Sequence, residues 1–249
     1  MKASTESLLQ MRSEDLRVIL WDIDGTLVLS ARAGAFKLYT APVLEEVFGT
    51  AGKLHEMKVS GMTDFQIIAE ALRDEGFTQA QILERAADFR ASYMQAMERA
   101  TADVEHSFYA LPGAREMLQI VEDSPRYLNA LLTGNIEPAA KLKLRAVGLS
   151  DFFHLPGAFG DDSHNRRDLP AIAAARINRQ LHLALQPAQF IVIGDTPNDI
   201  HCARHFGARA IAVATGRSYP TDELLSHKPD AMLPDLANTE LVMQTLDEL

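Results

Sequence analysis

Five short apolar runs constrain the fold of this 249-residue chain more than any other feature. Arg17–Asp22, Tyr127–Leu132, Phe190–Gly194 and Ala208–Ala214 are rich in Val, Ile, Leu and Phe, and Ala231–Leu233 is a weaker fifth. None alternates strictly between apolar and polar residues, so each suits a strand covered on both faces, as in a parallel sheet. Helical patterns at Gly113–Glu122, Glu137–Val147, Leu169–Leu181 and Pro197–Phe206 separate the later runs. Strand and helix alternating in this order predict an open α/β sheet.

Helix punctuation agrees. Pro138 can occupy a first helical turn, and Gly148 stands where a left-handed cap would end that helix. Thr196-Pro197-Asn198-Asp199 supplies an N-cap, a proline at N1 and an acid at N3, directly after a strand. The stretch from Ser30 to His106 is different. It shows no convincing strand and reads as helices at Gly34–Phe48, Thr63–Arg73 and Thr78–Arg99, the last opened by a Thr78-x-x-Gln81 capping box. We therefore expect a short extension at 1–16, a core made of 17–29 and 107–249, and a smaller all-helical domain inserted at 30–106.

The chain carries 24 basic and 34 acidic side chains, a formal charge of −10, which argues against a nucleic-acid partner because phosphate backbones need a basic face. No apolar run approaches the ~18–20 residues of a membrane span, and the first sixteen residues lack a signal peptide's apolar core. The single cysteine, Cys202, excludes an intramolecular disulfide and fits a reducing compartment. A cytoplasmic protein is expected.

Chemistry-bearing residues fall at the ends of the predicted strands, where ligands bind in open α/β sheets. Asp22-Ile23-Asp24-Gly25-Thr26 closes the first strand, and two carboxylates two residues apart point the same way along it. Thr133-Gly134-Asn135 follows the second strand, with a hydroxyl and exposed amides. Gly194-Asp195-Thr196-Pro197-Asn198-Asp199 follows a later one, with two more acids, and Arg166 and Arg167 start the helix between them. His201 and His205, four apart with Cys202 between, have the spacing of a zinc pair but lack its usual glutamate, and read as a partly exposed helix face.

Together, Asp22-x-Asp24-Gly25-Thr26, Thr133-Gly134-Asn135, a basic residue and Gly194-Asp195-x-x-x-Asp199 resemble the haloacid dehalogenase-like hydrolases, specifically the phosphoglycolate-phosphatase-like branch. The resemblance runs from about Arg17 to Ala237, and Ser60-Gly61-Met62-Thr63-Asp64 is similar to a segment of such caps. It implies a three-layer Rossmann-like core with the catalytic strand central, closed over by a helical cap with hinges near Val28–Ala33 and Glu105–Pro112. It implies hydrolysis of a small phosphorylated metabolite, with Asp22 as nucleophile and Asp24 as acid and base. Gly25, Thr133, Gly134 and Asn135 would hold the phosphoryl group.

Several carboxylates facing a phosphate make a divalent cation necessary, and an all-oxygen ligand set suits Mg²⁺. The implied ligands are the Asp22 and Asp195 side chains and the Asp24 carbonyl, with Asp199 assisting from behind. The family's usual lysine is replaced here by Arg166, with Arg167 as the alternative, which keeps the charge and changes the geometry. The resemblance also leaves room for a phosphomutase, with Arg32, Lys37, Lys53, His55 and Lys58 as candidate cap contacts, or for a non-catalytic phosphometabolite-binding member. A monomer or homodimer is expected.

Overall fold

The computed structural model describes residues 14–102 and 108–249. Five parallel strands form the sheet: β1 (Arg17–Trp21), β4 (Tyr127–Leu131), β5 (Phe190–Gly194), β6 (Arg209–Val213) and β7 (Ala231–Leu233), in the order β4-β1-β5-β6-β7. The strand carrying Asp22 is thus interior and second from one edge, while β5 takes the middle.

Side chains of β1 alternate between two apolar layers. Ile19 and Trp21 pack with α5 (Ala114–Asp123), α6 (Glu137–Ala146) and α10 (Thr239–Glu248). Val18 and Leu20 face α7 (Leu169–Leu181), α8 (Pro197–Phe206) and α9 (Thr221–Ser226). Burial on both faces is why these strands read as continuous apolar runs, and it makes the core a three-layer structure. Trp21 points away from the strand end into the core, where its indole N–H donates to Asn129 Oδ1 at 2.9 Å.

Between β1 and α5 the chain forms an antiparallel ribbon of β2 (Val28–Ser30) and β3 (Phe108–Ala110), and between those two strands it forms four helices. These are α1 (Ala35–Phe48), α2 (Asp64–Ala71), α3 (Gln79–Glu84) and α4 (Ala86–Ala102). The ribbon coincides with the two expected hinge segments, each only three residues long and without a readable pattern. One expectation here is corrected. The helix expected at Thr78–Arg99 breaks at Arg85, whose guanidinium donates to the Val47 carbonyl at 2.5 Å, although the Thr78–Gln81 capping box forms as read. The helix α10 was not expected, although Asn238 caps it and Val242 and Leu246 are buried four residues apart.

The inserted helices own an apolar cluster around Leu44, Ile68, Phe89 and Tyr93. That cluster also takes in Ile136, Ala139 and Leu142 from the start of α6, so one helix packs into both bodies. No helix among the described residues is long and apolar enough to cross a membrane. The expected extension at 1–16 lies outside the described residues except for 14–16, as does 105–107 of the second hinge.

Candidate active site

Parallel strands end together, so the turns after β1, β4 and β5 converge. The β1 turn is tight: the amides of Leu27 and Val28 donate to the Ile23 carbonyl, and Gly25 sits at φ +90°. The Gly25 amide donates to the Val28 carbonyl at 2.8 Å, and its carbonyl accepts from Thr215 Oγ1 at 2.5 Å. The amide is therefore engaged inside the turn and the carbonyl by the segment after β6, which differs from the expectation that Gly25 holds a phosphoryl oxygen. Its lack of a side chain serves Asp195 instead, because a methyl at Gly25 or Gly216 would overlap the Asp195 carboxylate. Gly216, in the turn after β6, thus borders the site.

Three of the four acids meet. Oxygens of Asp22, Asp195 and Asp199 lie within 4.8 Å of one another, all three residues being buried. Arg166, not Arg167, enters the cluster: its Nη2 is 3.0 Å from Asp22 Oδ1 and 2.5 Å from Asp199 Oδ1, while Arg167 is exposed. The reason is local. Asn165 caps the short turn Arg166–Asp168 by accepting the Arg167 amide, so Arg166 faces inward as α7 begins. Asp199 Oδ2 accepts from the Thr196 amide and hydroxyl at 3.0 and 2.6 Å, so this residue secures its own helix start and the arginine together.

Electrostatics follow from burial. Desolvation pushes the Asp22 carboxyl up, Arg166 opposes that, and Asp199 and Asp24 add repulsion. Burial and then the Asp22 and Asp199 charges raise the Asp195 carboxyl as well, against the opposing charge of Arg166. Asp195 Oδ1 is buried with no hydrogen-bond partner. An orphaned anionic oxygen beside two more carboxylates is the donor set that a hard divalent cation fits.

Asn135 links Asp24 to Thr133. Asn135 Nδ2 donates to Thr133 Oγ1 at 2.8 Å and to Asp24 Oδ2 at 2.7 Å. The Thr133 hydroxyl accepts this bond and a longer one from the Asn135 amide, which leaves its own proton for a ligand oxygen. Sequence reading missed Lys143. Its ammonium reaches Asp24 Oδ1 and Oδ2 at 2.7 and 2.6 Å and Asn135 Oδ1 at 2.7 Å, with the side chain 3% exposed. A signal was present: Ile136, Ala139, Ala140 and Lys143 share one helical face, and a lysine on an apolar face needs a partner.

The inserted helices touch this rim. The Asp64 amide donates to the Gly134 carbonyl at 2.8 Å, and Asp64 Oδ2 accepts from the Ile136 amide at 2.8 Å. Asn198 Nδ2 donates to the Gly61 carbonyl at 2.8 Å. The segment Ser60–Asp64 therefore lies against the turns that carry Thr133 and Asp195. His201 turns to His227, 3.0 Å away, and among the described residues the acid cluster is the group with metal-holding geometry.

A model of the haloacid dehalogenase-like hydrolases matches residues 19–204. The chain belongs to that family. This hydrolase is 26% identical over 230 residues to a phosphoglycolate phosphatase of Pectobacterium atrosepticum, covering 90% of each chain. It is 27% identical over 212 residues to a phosphoglycolate phosphatase of Chromobacterium violaceum, covering 83% of this chain and 88% of that one. A hydrolase from Pseudomonas syringae shares the fold, with a TM-score of 0.68, 22% identity, and coverage of 94% of this chain and 99% of that one.

Proposed function

We propose that this hydrolase is a Mg²⁺-dependent phosphatase that hydrolyses a small phosphate monoester, phosphoglycolate or a sugar phosphate, through an aspartyl-phosphate on Asp22. The observation that carries the reading is the pairing of a buried carboxylate, Asp22, held by Arg166, with a second, Asp24, two residues on and anchored by its own cation.

Asp22 attacks phosphorus, its oxygen forms the new P–O bond, and the ester oxygen leaves with a proton from Asp24. Water then attacks the phosphorus of the acyl phosphate, Asp24 takes the water's proton, and Asp22 departs as carboxylate with inorganic phosphate. The Thr133 hydroxyl and the Arg166 guanidinium hold non-bridging oxygens through both steps. Asp22, Asp195 and the Asp24 carbonyl would hold Mg²⁺, with Asp199 behind them; the ion supplies neutralisation of the phosphate among the carboxylates. The inserted helices serve as a cap that limits bulk water.

Phosphoglycolate comes from the two bacterial relatives that carry that name. A mutase needs a second phosphate site in the cap, and three of the five candidate contacts for one, Lys37, Lys53 and Lys58, have partners within the protein. Lys37 donates to the His55 carbonyl, Lys53 pairs with Glu70 and Asp74, and Lys58 lies over the Tyr219 ring.

The test is phosphate release from a panel of small monoesters, with Mg²⁺ or EDTA, by wild type and Asp22→Asn. We expect metal-dependent release that the variant loses by at least about a thousandfold. Equal release by the variant overturns the mechanism.

A further inference from the structure

We propose that Lys143 is a positioning residue that sets the orientation of Asp24 for proton transfer to the leaving group. This rests on the phosphatase reading above and assigns a role to a residue that lies outside the motifs of that reading.

The hydrogen-bond inventory excludes the simpler role of binding substrate. An ammonium has three N–H donors. Two go to the oxygens of Asp24 and the third to Asn135 Oδ1, so none remains for a ligand. Lys143 must therefore act through Asp24 and Asn135.

Asp24 needs such help. Its side chain is 45% exposed, so packing alone does not fix its rotamer. The charge of Asp22 two residues away repels it, whereas Lys143 and Asn135 hold both its oxygens from the other side. Asn135 also bonds the Thr133 hydroxyl, so one network joins the group that grips phosphate to the group that moves the proton.

The position of Lys143 is itself fixed. Its neighbours on α6 pack in opposite directions, Ala140 and Leu144 into the core and Ala139 and Leu142 into the cluster of the inserted helices. Burying an ammonium there is strongly unfavourable without a partner, and Asp24 is that partner.

A positioning role for the acid has a signature that a structural role lacks. An alkyl ester oxygen must be protonated as its P–O bond breaks, whereas p-nitrophenolate leaves well without a proton. We would measure kcat for β-glycerol phosphate and p-nitrophenyl phosphate with wild type, Lys143→Met, Asp24→Asn and the double variant. Methionine matches the aliphatic stem of the side chain and removes the ammonium and its charge.

The expected loss in Lys143→Met is about a hundredfold on the alkyl ester and a few-fold on the nitrophenyl ester. In the Asp24→Asn background the same substitution should cost nothing further. Equal losses on both esters, or full additivity with Asp24→Asn, would overturn the proposal while leaving the phosphatase reading intact. A wild type silent on both esters and on the wider panel would overturn that reading too. If Lys143→Met does not fold, Lys143→Gln, which keeps a donor, reports the same ratio of losses.

Discussion

Arg166 Nη2 stands 3.0 Å from Asp22 Oδ1, and both side chains are only 5% exposed. If Asp22 attacks a phosphate dianion as proposed, it needs a cation that neutralises without being consumed, and a guanidinium meets that need because it stays protonated. Burial works against its charge, yet Asp199 and then Asp22 hold the Arg166 pKa above its ordinary value. Lysine in its place would keep the charge but, as a compact and strongly hydrated ammonium on a shorter side chain, would fit less well where the Arg166 Nη2 lies between Asp22 and Asp199. Arg166→Lys should lower kcat/KM by about tenfold and Arg166→Met by about a hundredfold or more. Arg167→Met, altering an exposed residue, should change little. Steady-state kinetics of the three variants check this, and a larger loss in Arg167→Met would reverse the assignment.

Gly216 makes a separate prediction. Because a methyl there would overlap the Asp195 carboxylate, Gly216→Ala must push Asp195 out of the acid cluster. The Mg²⁺ concentration for half-maximal activity should rise about tenfold or more, with little change in thermal unfolding. A Mg²⁺ titration of activity beside a melting curve would decide. Unchanged ion dependence would mean that Asp195 does not hold the cation.

Asp64 joins the inserted helices to the core, and burial pushes its carboxyl up to about 7 despite the bond from the Ile136 amide. The folded state therefore keeps a proton that the unfolded chain releases above its ordinary carboxylate range. Stability contributed by this group is complete at low pH and is lost as pH rises to about 7. Asp64→Asn keeps an acceptor for the Ile136 amide and removes the ionisation. Its melting temperature should exceed wild type by a few degrees at about pH 8, and the advantage should shrink towards about pH 5. A constant difference across that range would remove Asp64 as the source.

Much of the fold was legible because it is written locally. Phe190–Gly194, Leu169–Leu181 and Pro197–Phe206 were read with their observed bounds, since a strand buried on both faces and a helix with an N1 proline each leave a pattern in adjacent residues. The ribbon of Val28–Ser30 and Phe108–Ala110 was not legible, because three residues carry no period and their pairing spans the whole inserted stretch. The break at Arg85 depends on the Val47 carbonyl, 38 residues away.

The same division runs through the site. Sequence alone determined that Asp22, Asp24, Thr133, Asp195 and Asp199 would stand at the ends of parallel strands, because hydrophobic burial and turn chemistry place strand ends without knowledge of partners. Only the tertiary structure decided that Arg166 rather than Arg167 turns inward, that Gly216 makes room for Asp195, and that Lys143 meets Asp24 across 119 positions of chain. A charged side chain's partner is settled by which groups are left together once water is excluded, and that is a property of the packed molecule, not of any stretch of its sequence.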